Sequence, residues 1–277
     1  MSRTALVTGA NSGLGLATVL ELARTGIDVV GTVRSSDKAD AVAEAAADAG
    51  VRVRTMLLDV ADAAGCKEVV DEVRPDILVN NAGTTCFAPV LDVMEEEARH
   101  HFETALFGPM RLARLALPHM SGRGWGRIVQ ISSLAGTVTY PLLGWYQAGK
   151  HAMEAVTDAL RVEVVHSGVH VVVVAPGGFR SGVTDEMTDA VARYRGSEYA
   201  TAFERMDLGF RIMRPLWSDP DTVAGVIAEA VTVEDPKAKY VVGTDARLTM
   251  LLHRVTQPFS TITNLKEGAV RRLIGLN

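Results

Sequence analysis

Short runs of β-branched and apolar residues alternate along the chain with longer stretches in which apolar positions recur every three or four residues. The runs cover 4–8, 28–33, 52–57, 77–80, 127–131, 169–175 and 239–242, and the stretches of helical period cover 14–25, 37–49, 61–73, 94–119, 146–166 and 219–231. Such alternation predicts repeated βαβ units and a parallel sheet. Runs such as Val171-Val172-Val173-Val174 have no polar break, so helices must cover both faces of the sheet. The pattern therefore predicts a doubly wound α/β fold of about seven strands.

No Pro/Ser-rich linker, repeat or low-complexity tract interrupts this alternation, which predicts one domain over 1–277. One region departs from it. Residues 178–215 read as helical between the sixth and seventh strands and carry Tyr194, Tyr199, Phe203, Met206, Phe210 and Met213. An insertion at the carboxyl edge of a parallel sheet suits a substrate lid, and equally a helical pair that only covers the sheet.

The first strand runs into Thr8-Gly9-Ala10-Asn11-Ser12-Gly13-Leu14-Gly15 and then into an amphipathic helix. Glycines at a strand-to-helix turn let the backbone approach a pyrophosphate, which the positive end of the helix attracts. This is a Rossmann-type dinucleotide signature. A second constellation follows the fifth strand, where Tyr146 and Lys150 stand four apart in a helical stretch. That spacing places both on one helix face, where an ammonium stabilises a phenolate and brings a group of ordinary pKa ~10 toward acid/base use.

Together these residues resemble the classical short-chain dehydrogenase/reductases, whose turn has the T-G-x-x-x-G-x-G spacing. The resemblance covers nearly the whole chain. It implies that Asn11, Ser12 and Leu14 line the cofactor along with Gly9, Gly13 and Gly15. It further implies that Asp59-Val60 meets adenine, that Asn81, Ala82 and Gly83 of Asn80-Asn81-Ala82-Gly83 flank the cofactor, and that Pro176 and Gly177 lead to Ser181 at the nicotinamide carboxamide. Ser133, thirteen residues before Tyr146, takes the place of the family's active serine. The mechanism implied is hydride transfer with Tyr146 exchanging the substrate proton, Ser133 holding the same oxygen, and Lys150 binding the nicotinamide ribose. No metal is implied.

The second strand ends in Val33-Arg34 rather than in a carboxylate, and an Arg there accommodates the 2′-phosphate of NADP. NADP(H) is the expected cofactor. Leu142, Leu143 and Trp145, together with the lid aromatics, predict an apolar carbonyl or alcohol substrate. One position departs from the family: Ala105 stands where the catalytic Asn belongs. This leaves open either another route for the proton or a protein that binds NADP while its chemistry is lost or redirected, for example to a cyclisation.

Composition changes the picture little. A net charge of −5 gives no electrostatic reason for a nucleic-acid partner, and no apolar run is long enough to span a bilayer. Two cysteines, Cys66 and Cys86, form no disulfide framework, and adjacent His100 and His101 face different ways on a helix, a poor metal pair. A cytoplasmic compartment is expected, as is a homodimer or homotetramer formed through 94–119 and 146–166. The basic, apolar tail over 248–276 reads as a packed terminal helix.

Overall fold

A computed structural model describes residues 3–179 and 183–256. Its strands are β1 (Thr4–Thr8), β2 (Asp28–Val33), β3 (Arg54–Leu57), β4 (Ile77–Asn80), β5 (Gly126–Ile131), β6 (Val169–Pro176) and β7 (Lys239–Val242). They form one parallel sheet ordered β3-β2-β1-β4-β5-β6-β7. The chain winds outward from β1 in one direction, then returns to β4 on the other side. Between β1 and β4 lies the switch point at which α/β sheets bind ligands.

Alternate side chains of each strand feed opposite cores. Ala5, Val7, Ile77, Val79, Val129, Val172 and Val174 pack under α1 (Gly13–Arg24) and α9 (Pro220–Thr232). Leu6, Leu78, Ile128 and Val171 face the other way, toward a core that includes Cys66, Val70 and Leu112. This two-sided burial is why the strands read as unbroken apolar runs. β3 is an edge strand with half-exposed residues and starts two positions later than the sequence pattern predicts.

The helical stretch expected over 94–119 is broken. It divides into α4 (Glu95–Phe102), a π turn over Glu103–Phe107, and α5 (Gly108–Gly122). Pro109 explains the break: it has no N–H for the Ala105 carbonyl and its ring crowds that carbonyl, so the backbone widens before the proline. Helices α2 (Ser36–Asp48) and α3 (Ala63–Val73) follow β2 and β3, and α6 (Gly144–Glu163) follows β5. Two further helices, α7 (Val183–Arg193) and α8 (Ala200–Met213), occupy the predicted insertion, and α10 (Thr244–Thr256) follows β7. The remainder of the expected tail lies outside the described residues. Among the described residues no helix is long and apolar enough to cross a membrane.

Candidate active site

The turn after β1 is shaped by its glycines. Gly9 has φ +68°, a left-handed conformation that L side chains resist, and a Cβ on Gly15 would overlap the Gly9 carbonyl oxygen. The turn is held from the neighbouring strand. Asn81 Nδ2 donates to the carbonyls of Thr8 (2.9 Å) and Gly9 (3.1 Å), while the amides of Asn81 and Ala82 donate to Thr8 Oγ1. Helix α1 begins at Gly13, and Ser12 makes no side-chain cap, so its first amides point at the space in front of the turn.

That space is a cavity of about 530 Å³ at the switch point. It is lined by Gly9, Asn11, Ser12, Gly13, Leu14 and Gly15 at one end, with Arg34, Asp59 and Val60 beyond β2 and β3. Asn81, Ala82 and Gly83 form its centre, and Tyr146 and Lys150 its far end. A dinucleotide fits this outline: a cradle that a Cβ would fill, free helix amides, and a cation at the ribose end.

At the far end, Lys150 is buried and its Nζ donates to the Ile131 carbonyl at 2.7 Å, 5.9 Å from the centre of the Tyr146 ring. Burial pushes the ammonium down to about 8, and Glu154 pulls it partly back. Burial raises the Tyr146 phenol, hydrogen bonding with Ser133 lowers it, and the Glu186 carboxylate raises it further. The lowering of Tyr146 by Lys150 that the sequence pattern predicts is thus not seen in this pocket, where the net shift is upward and desolvation is its main cause. Ser133 sits at the end of β5, where its Oγ accepts from the Ala135 amide at 3.2 Å.

The family described as short chain dehydrogenase matches residues 3–192. The NADPH-dependent 3-dehydrocapnine reductase of Ornithobacterium rhinotracheale is 32% identical over 251 residues, 87% of this chain and 88% of its own. This chain belongs to the short-chain dehydrogenase/reductase family. Among solved structures, a short-chain dehydrogenase from Streptomyces avermitilis superposes with a TM-score of 0.76 at 31% identity, over 93% of this chain and 94% of its own. Actinorhodin polyketide ketoreductase with NADPH gives 0.75 at 27% identity, over 87% and 95%. The chain is accordingly an oxidoreductase of alcohol and carbonyl groups.

Within this short-chain dehydrogenase, Pro176 and Gly177 do not line the cavity. Gly177 is turned toward α10, with its amide on the Val242 carbonyl and its α-carbon against the Asp245 carboxylate, which also accepts from the Gly178 amide at 2.7 Å. Ser181 lies outside the described residues. Cys86 is half-buried, off the cavity wall, and its thiol is pushed up by burial.

Several wall residues escape the sequence patterns. Lys38, from the first turns of α2, lines the same cavity as Arg34. Thr84, Thr85, His100 and Thr104 come from the segment after β4, and Phe179 and Glu186 from the insertion. Only the i,i+4 relation of Arg34 and Lys38 across the strand-to-helix turn was there to be noticed. Among the described residues no three His, Cys, Asp or Glu side chains converge as metal ligands.

Proposed function

We propose that the protein is an NADP(H)-dependent ketone reductase or secondary-alcohol dehydrogenase acting on an apolar small molecule. One observation carries this reading: Tyr146, in contact with Ser133 and one helical turn from buried Lys150, closes the cavity that the glycine turn opens. The cofactor is NADP(H). Gly9, Gly13, Gly15, Asn11, Ser12 and Leu14 would hold its pyrophosphate side, and Arg34 with Lys38 its 2′-phosphate. Asp59 and Val60 would meet the adenine, with Asn81, Ala82 and Gly83 flanking the middle; Pro176 and Gly177, turned toward α10, are not among the residues that would hold the cofactor. When bound, it supplies or accepts the hydride.

The chain's own residues handle the proton. In reduction Tyr146 Oη–H donates its proton to the substrate carbonyl oxygen, and the Ser133 hydroxyl donates a hydrogen bond to that oxygen as charge develops on it. Lys150 would hold the ribose hydroxyls, and its ammonium beside the phenol would favour the phenolate left behind. Phe87, Leu142, Leu143, Met187 and Phe203 form an apolar cluster against which Tyr146, Tyr194 and Phe210 pack, which supports an apolar substrate and a lid over 178–215 of the one domain.

The test is NADPH oxidation with a panel of apolar ketones, followed at the nicotinamide absorbance. Turnover abolished by Tyr146→Phe is expected. A second reading, a cofactor-binding protein without redox turnover, has Ala105 in its favour, buried in the π turn with no polar side chain. NADPH binding without oxidation of any ketone would select it. Pairing of copies is proposed through the groove between α5 and α6, which is lined by Met110, Leu117 and the exposed Val156. A cytoplasmic location is proposed with it.

A further inference from the structure

The side chain of Ala105 ends short of the catalytic pair, and the imidazole of His101 stands beside it. Both face Gly149, which directly precedes Lys150 in the chain. A Cβ at 149 would come within 3.1 Å of His101 Nε2 and 3.2 Å of the Ala105 Cβ. The bare glycine and the small alanine therefore make the room that the imidazole occupies. His101 is 4% exposed, its ring lies 6.1 Å from the Tyr146 ring, and its buried Nε2 makes no full hydrogen bond, only a weak approach to the main chain of Tyr146. Its other nitrogen, Nδ1, is 3.5 Å from the hydroxyl of Thr84, a residue of the cavity wall.

A leucine would fill this volume without burying a poorly paired polar nitrogen, a condition that is destabilising in general. A polar ring kept here, next to Tyr146 and Lys150, points to use rather than to filling.

We propose that His101 is a positioning residue of the Tyr146–Lys150 pair, linking it to the Thr84 hydroxyl and supplying the polar contact that Ala105 lacks. The Thr84 hydroxyl donates to Nδ1, and Nε2–H is directed at the main-chain carbonyl of Tyr146 and the space beside Lys150. Burial and the Lys150 charge depress the imidazole to about 4, so it stays neutral and keeps one donor and one acceptor at working pH. Facing the pair are also Glu154 from α6, His100 from α4 and Glu186 from α7, and these set the electrostatic background.

This inference rests on Tyr146 being the acid/base group, and its test does not depend on turnover alone. Ionisation of Tyr146 is read in the protein without added cofactor as the phenolate absorbance lost in Tyr146→Phe. H101L, which strips polarity from around Lys150, is expected to raise the Tyr146 midpoint by at least about half a pH unit, and H101Q to restore it. In steady state, H101L is expected to lower kcat at least about tenfold with KM within about threefold, and H101L combined with A105N to recover part of the loss. If H101L does not fold, H101N, polar but too short to reach the Nε2 position, replaces it with the same expected directions. A Tyr146 midpoint unmoved by the substitution, or kcat within about twofold of the original, overturns the proposal. If the unsubstituted protein oxidises NADPH with no ketone, the reductase reading falls, and the Tyr146 titration alone decides the role of His101.

Discussion

Ser132 Oγ donates a 2.6 Å hydrogen bond to Glu154 Oε1, fastening the end of β5 to α6 one turn beyond Lys150. The other carboxylate oxygen of Glu154 takes Lys239 of β7 at 2.5 Å, and Lys239 also reaches Thr137 Oγ1 at 2.9 Å. Glu154 thus joins three elements and opposes the effect of burial on Lys150. Glu154→Gln is expected to cost about 2 kcal/mol in urea unfolding, because Lys239 loses a charged acceptor in a half-buried site. It is also expected to shift the alkaline limb of NADPH oxidation to lower pH, since Lys150 then deprotonates earlier. A limb that stays in place counts against the electrostatic role.

Two cations, Arg34 at the end of β2 and Lys38 in the first turns of α2, predict a strong preference between cofactors. Arg34→Ala and Lys38→Ala should each weaken NADPH binding by about tenfold or more while leaving NADH binding nearly unchanged, the scale expected for one charge-assisted contact. Fluorescence titration with both cofactors measures this. Equal losses for the two would remove these residues from the 2′-phosphate.

Gly15→Ala drives a methyl group into the Gly9 carbonyl oxygen. The turn must open, at about 1–3 kcal/mol for an overpacked site. The expected result is a folded protein by circular dichroism with a lowered melting temperature and little NADPH affinity. Unchanged affinity would show that the pyrophosphate lies elsewhere.

Acid stability carries a signature of His101. Its ordinary value of 6.5 falls to about 4 in the fold. Between those pH values the unfolded chain binds a proton that the folded chain refuses, so stability falls as pH falls. The displacement bounds the effect at about 3 kcal/mol. Urea unfolding of the original protein and of H101N at pH 7 and pH 4.5 isolates it. The variant should lose less stability on acidification, and equal losses would show that the imidazole is not shielded.

The sheet is legible in the chain because each central strand is apolar on both faces, and both faces are in fact covered. Met94 to His119 reads as one helix because its apolar period runs on through Ala98, Ala105 and Leu112. The single clue to the break is Pro109, since a proline also begins helices. The glycine turn and the Tyr146–Lys150 pair are visible because each is local. Lys38, Glu186 and the meeting of His101 with Gly149 are not, because they depend on how separate elements cross. The contact of Asp245 with Gly177 and Gly178 depends on the same kind of crossing.

The reversal of winding between β1 and β4 has a consequence for engineering and for evolution. The cavity residues proposed for the phosphates and adenine, from Gly9 through Arg34 and Lys38 to Val60, all precede β4. Ser133, Tyr146, Lys150 and the insertion all follow it. On the proposed assignment, coenzyme selectivity is encoded in the shorter first part of the gene and carbonyl chemistry in the longer part that follows. A chimera joined between α3 and β4 with an NADH-using relative should inherit the partner's coenzyme and keep its own substrate.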